Sequence, residues 1–156
     1  MRSQLSRFFS LSSQRRWLLL EASLWLGLAR AAVLTLPFRW IMAALGQRPA
    51  TVEMATPPTD LSKVQQDEIQ QVALVTWAIR IVSRRTPWQS NCLAQALAGQ
   101  IMLRRRRIVN TLYLGIMKEK DNVLTAHAWL RSHNFIVTGG GQLERYVIVA
   151  RFCANP

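Results

Sequence analysis

Apolar and polar residues change their rhythm along this chain, and the change separates a helical first half from a stranded second half. From Trp17 to Leu36 apolar residues run almost without interruption, which predicts a long helix packed on most sides. Pro37 breaks it ahead of a shorter helix ending at Gly46. Arg48 to Asp60 holds Pro49, Pro57, Pro58 and several threonines and reads as a linker. Ile69, Val72, Ala73, Thr76, Trp77 and Arg80 then recur at helical spacing, with Thr59 or Asp60 as cap. That helix should end near Ser83, because Pro87 disfavours helix in the residue before it. The next helix opens beside Ser90 and Asn91 and closes at the Arg104 to Arg107 run. Leu93, Ala96, Leu97, Gly99, Ile101 and Leu103 give it an apolar face whose small residues permit close packing.

After Arg107 the period becomes two. Val109 to Lys118 reads as a strand, Glu119 to Asn122 as a polar turn, and Val123 to Arg131 as a strand with Thr125, His127 and Trp129 on one face. A tight turn at Ser132 to Asn134 leads to a strand over Phe135 to Thr138, which Gly139-Gly140-Gly141 breaks, and Tyr146 to Phe152 forms the last strand. The fold class expected is α+β, helices first and an antiparallel sheet after. Its organisation would be apolar helices over 1–47 that pack on the core or dock a partner, a linker over 48–60, and a core over 61–156.

Length and charge narrow the classes. A chain of 156 residues suits one domain with a proper core. Two cysteines, Cys92 and Cys153, lie too far apart for a zinc motif or a disulfide framework, so a reducing cytoplasm fits best and neither a metal nor another cofactor is expected. The net charge of +12 asks for an acidic partner. The arginine pairs and the Arg104 to Arg107 run carry no interleaved aromatics, which argues against nucleic acid and leaves solvated helix ends as the ordinary reading. Glu21, Arg30 and Arg39 split the apolar N-terminal run into pieces far short of the roughly 18 residues a membrane span needs. Burial against the fold or a partner is therefore favoured over a membrane surface.

Candidate chemistry centres on Cys92. Placed in the first turn of a helix, its thiolate would be favoured by unpaired backbone N–H groups and the positive end of the helix dipole. A lone cysteine is more often packing than nucleophile. His127, on a strand downstream, is the available base.

Several blocks together resemble a known family: Thr86-Pro87-Trp88-Gln89-Ser90-Asn91-Cys92-Leu93-Ala94-Gln95-Ala96, then Leu103-Arg104-Arg105-Arg106, Leu114-Gly115, His127-Ala128-Trp129 and Thr138-Gly139-Gly140. They are similar to the transglutaminase-like cysteine peptidases of lasso-peptide biosynthesis, in their stand-alone leader-peptidase form. The resemblance implies a transglutaminase- or papain-like core with the catalytic cysteine at a helix N-terminus packed on an antiparallel sheet. It implies removal of a leader from a ribosomally made precursor peptide, so that a separate ATP-dependent cyclase can close the macrolactam. Members with a fused leader-recognition module are longer, so a separate leader-binding protein is implied as a further partner.

In that scheme Cys92 attacks, His127 moves the proton, and the Cys92 N–H with the Gln89 side chain holds the oxyanion. Trp88 and Trp129 are candidates to line the substrate groove. One departure stands out: the family's orienting Asp falls at Gly139. Regular pairing of Ser132 with Phe135 would place His127 opposite about Gly140, leaving a backbone carbonyl, Thr138, Gln142 or Glu144 as substitutes. The rival reading is a non-catalytic scaffold of the same fold that binds a leader complex or the cyclase.

Overall fold

The computed structural model describes residues 12–45, 63–85, 91–119 and 123–154. Among them are four helices, α1 (Ser13–Thr35), α2 (Phe38–Leu45), α3 (Lys63–Ser83) and α4 (Cys92–Arg105). Four strands follow, β1 (Asn110–Lys118), β2 (Leu124–Ser132), β3 (Phe135–Thr138) and β4 (Val147–Ala154). They form one antiparallel sheet in the order β3-β2-β1-β4. Helices first and sheet second is the α+β arrangement that the change of period implied. The proposed linker and the Thr59 or Asp60 cap lie outside the described residues.

Small side chains put α4 at the centre. Ala94, Ala96, Ala98 and Gly99 are buried on it, together with Leu97, Met102 and Leu103. A β-carbon on Gly99 would lie 2.7 Å from a Leu130 methyl and 3.1 Å from one of Ile79, so β2 and α3 both close in where the helix has no side chain. Gln100 is buried too, and its amide donates to the Phe152 carbonyl on β4 at 3.2 Å. α1 and α3 flank α4 on its other sides, sharing one core with Leu112, Leu130 and Phe152 of the sheet.

α1 ends where Pro37 requires, with Leu36 extended at φ −99° and ψ 139°. Its packing corrects the expectation of a helix covered on most sides. Leu18, Leu19, Ala22, Leu26 and Ala29 are buried, whereas Trp17, Leu20, Leu24 and Leu28 form a stripe at least half exposed along the opposite face. By length and composition α1 is apolar enough to cross a membrane, although 28% of that window is buried against the fold.

The arginine run is also more than a solvated helix end. Arg106 donates two hydrogen bonds to the Glu21 carboxylate of α1, at 2.6 and 3.2 Å, and a third to the Met102 carbonyl at 2.8 Å. Arg105 approaches the same carboxylate at 3.4 Å. His133, exposed in the β2–β3 turn, meets Glu68 of α3 at 3.1 Å and so ties the turn to the helices.

Two irregularities in the sheet were not expected from the alternation of residues. Ser132 pairs with Phe135 across His133-Asn134, as a two-residue hairpin requires, but Leu130 then pairs with Thr138 instead of Val137. The extra residue, Val137, is a bulge that lets Val137 and Thr138 both turn inward. A second bulge lies between β1 and β4 at Leu114/Gly115. A short 3-10 turn, Leu143–Arg145, precedes β4.

Candidate active site

Asn91 starts α4. Held extended at φ −64° and ψ 159°, it accepts the Ala94 N–H on its side-chain oxygen at 3.1 Å, and its carbonyl accepts the Gln95 N–H at 3.2 Å. Cys92 is thereby the first helical residue, a half-buried free thiol packed at the margin of the core. The N–H groups of Cys92 and Leu93 have no partner among the described residues, so they remain available to a developing negative charge. Gln89 and Trp88, expected at the oxyanion and the groove, lie outside the described residues.

His127 stands on β2 opposite Gly115 of β1. β3 stops at Thr138, so the edge of β2 beside His127 has no ladder partner, and the chain turning away at Gly139 fills it. The His127 Nε2–H donates to the Gly139 carbonyl at 2.8 Å. A carbonyl oxygen only accepts, so the neutral ring must carry its proton on Nε2 and keep the Nδ1 lone pair free.

Why no acidic side chain stands at 139 is a matter of space. Gly139 has φ +74°, and a β-carbon there would collide with the Ala128 carbonyl oxygen and lie 2.9 Å from the Trp129 α-carbon. The glycine brings its backbone against β2, and its carbonyl accepts the His127 Nε2–H. Thr138 and Glu144 do not bond the ring. The Thr138 side chain is turned toward Gly99 of α4 and buried, with its hydroxyl lacking a partner, while Glu144 is exposed on the 3-10 turn.

An aromatic shelf surrounds the imidazole. Trp129, 5% exposed, stacks on Tyr113 with ring centroids 5.4 Å apart and planes 6° from parallel. The His127 ring lies 6.1 Å from Trp129 and 5.1 Å from Tyr146. Gly115 makes room for this, since a β-carbon there would come within 2.8 Å of the Trp129 indole and 2.9 Å of Tyr146. Tyr146 was not among the residues expected at the site. Its only sequence signal was its place at the head of the last strand.

Cys92 opens the helix that packs on the inner face of the sheet, whereas His127 stands on the outer face, beside Trp129 and Tyr146. The short connection after α4 turns it back along β1, and Gly99 packs on Leu130. Cys92 precedes Gly99 by about 10 Å of helix, and His127 precedes Leu130 by about 10 Å of strand. Ala128 and Leu130 face the helices, so His127 and Trp129 leave β2 from its other side. Among the described residues no hydrogen bond joins the Cys92 thiol to the His127 ring.

Comparison with known proteins decides the lineage. Residues 32–151 match the family model of the Transglutaminase-like superfamily. The chain belongs to that superfamily. The match runs from the second half of α1 into β4, takes in both Cys92 and His127, and agrees with a helix-first core closed by an antiparallel sheet. The Transglutaminase-like superfamily includes cysteine peptidases. No curated protein and no solved structure matches the chain.

Proposed function

We propose that this protein is a cysteine endopeptidase that removes the leader from a ribosomally synthesised lasso-peptide precursor. The observation that carries the peptidase reading is the His127–Gly139 hydrogen bond, which holds the ring in the tautomer whose free nitrogen can serve a thiol. Cys92 at the first position of α4, beside N–H groups without a partner among the described residues, is the matching nucleophile. The choice of a leader as substrate rests on the resemblance of the Cys92 and His127-Ala128-Trp129 blocks to the leader peptidases.

In the reaction, the His127 Nδ1 takes the thiol proton as Cys92 sulfur attacks the scissile carbonyl carbon. Negative charge collects on the carbonyl oxygen, where the Cys92 and Leu93 N–H groups receive it. Collapse of the intermediate breaks the C–N bond, the leaving amine takes the proton from His127, and the leader remains as a thioester. Water then attacks the thioester with His127 as base, releasing the leader acid and restoring the thiol. The freed amine is the new N-terminus of the core peptide, ready for a separate ATP-dependent cyclase. A neutral carbonyl behind the ring stabilises the imidazolium less than a carboxylate does. It therefore orients His127 more than it charges it, as neutral third members do in other cysteine proteases. Attack requires the imidazole and the thiol to come together, and among the described residues the ring bonds the Gly139 carbonyl and not the thiol.

The test mixes the chain with a lasso precursor and its leader-binding protein and follows leader release by mass. Cys92→Ala and His127→Ala each bring release down to background while circular dichroism stays unchanged. Release that persists in Cys92→Ala would refute the assignment. The second reading, a non-catalytic scaffold for a leader complex or the cyclase, is favoured by the absence of a direct Cys92–His127 bond among the described residues. Alkylation at neutral pH separates the two. Selective labelling of Cys92 ahead of Cys153 supports the enzyme, and equal sluggishness supports the scaffold.

A further inference from the structure

We propose that the outer face of α1 seats the protein on an anionic lipid surface, with the helix lying in the headgroup layer instead of crossing the bilayer. Trp17, Leu20, Leu24 and Leu28 recur along one side of α1 and are 71, 52, 58 and 50% exposed, a stripe at least half open along its length. Leu34, Leu36, Phe38 and Trp40 extend the exposed apolar surface through the α1–α2 corner, so that an open tryptophan stands near each end. Tryptophan favours the headgroup level, where its ring meets both hydrocarbon and water.

Charge selects the kind of surface. The charged residues of α1 and α2 are Arg15, Arg16, Glu21, Arg30 and Arg39, and Glu21 is taken up by Arg105 and Arg106. The Arg106 guanidinium and Trp17 line the same hollow beside Glu21, so the stripe begins next to the arginine run that closes α4. Exposed Arg84, Arg85, Arg104 and Arg107 add to a molecule whose net charge is +12. An apolar stripe that begins beside the arginine run at 104–107, on a chain of net charge +12, suits an anionic interface, where burial and electrostatic attraction act together.

The helix has the hydropathy of a spanning segment, but its packing keeps it on the surface. Crossing a bilayer would strip Leu18, Leu19, Ala22, Leu26 and Ala29 from the core and part the Glu21–Arg106 pair. Lying flat, α1 keeps both and offers lipid only the face already open.

The experiment sediments the full chain with phosphatidylcholine vesicles containing a quarter phosphatidylglycerol, and with phosphatidylcholine alone. Expected are binding to the anionic vesicles roughly tenfold above the neutral ones, weakening at high salt, and a blue shift in tryptophan emission. Leu20→Glu with Leu24→Glu lowers that binding roughly tenfold without changing circular dichroism, since both positions are exposed. Cys92→Ala binds as the natural chain does, which keeps this result separate from the peptidase assignment. A chain that stays in the supernatant, or that binds neutral vesicles equally well, overturns the proposal. So does a soluble dimer that Leu24→Glu dissociates, because the stripe would then belong to a second copy.

Discussion

α1 and α4 are both rich in apolar residues, yet the fold treats them in opposite ways. α4 has 14 residues and buries eight of them, half of them Ala or Gly, while α1 has 23 and buries five, leaving Trp17, Leu20, Leu24 and Leu28 outside. Close approach explains the contrast. Ala and Gly let α4 sit against the sheet and two helices at once, whereas one face of α1 already satisfies its contact with α3 and α4. Total hydrophobicity therefore says little about depth; the number of sides on which other elements pack says more.

Substitutions can press on this contrast. The largest effect should come from Gly99→Leu, because even a β-carbon meets Leu130 at 2.7 Å; we expect a loss of about 3 kcal/mol or more in chemical denaturation. If stability were retained, α4 would not be as tightly enclosed as described. Next comes Glu21→Ala, which leaves the half-buried Arg106 guanidinium without its carboxylate and should cost roughly 1–3 kcal/mol by the same measurement. A negligible change would mean that the clamp between α1 and α4 contributes nothing. Asn91→Ala removes the cap that accepts the Ala94 N–H and should cost about 1 kcal/mol; thermal melting reads it. Smallest is Leu24→Lys on the open stripe of α1, expected within about 0.5 kcal/mol of the natural chain. A large loss there would show that the stripe is covered after all.

Most elements were legible because each had a local cause. Pro37 ends α1, Asn91 caps α4, and the two-residue turn at His133-Asn134 pairs Ser132 with Phe135. The bulge at Val137 was not, since alternation alone predicts a regular ladder and a residue is expelled only when both inward positions can be filled. Arg106 looked like part of a solvated helix end because its partner, Glu21, is remote in the chain. Cys92 and His127 were singled out from their blocks, whereas Tyr146, beside the His127 ring, had no signal beyond its strand.

By itself the sequence determined the order of helices and strands, the cysteine at a helix start, the histidine on a strand and the glycine where an acid was looked for. Each depends on neighbours within a few residues, where capping, turn chemistry and side-chain alternation act. Only tertiary structure decided that the Gly139 carbonyl holds the His127 ring, that Glu21 reaches across to Arg106, and that one face of α1 stays open. Those outcomes depend on which surfaces meet when distant segments pack, and the spacing of residues along the chain does not encode that.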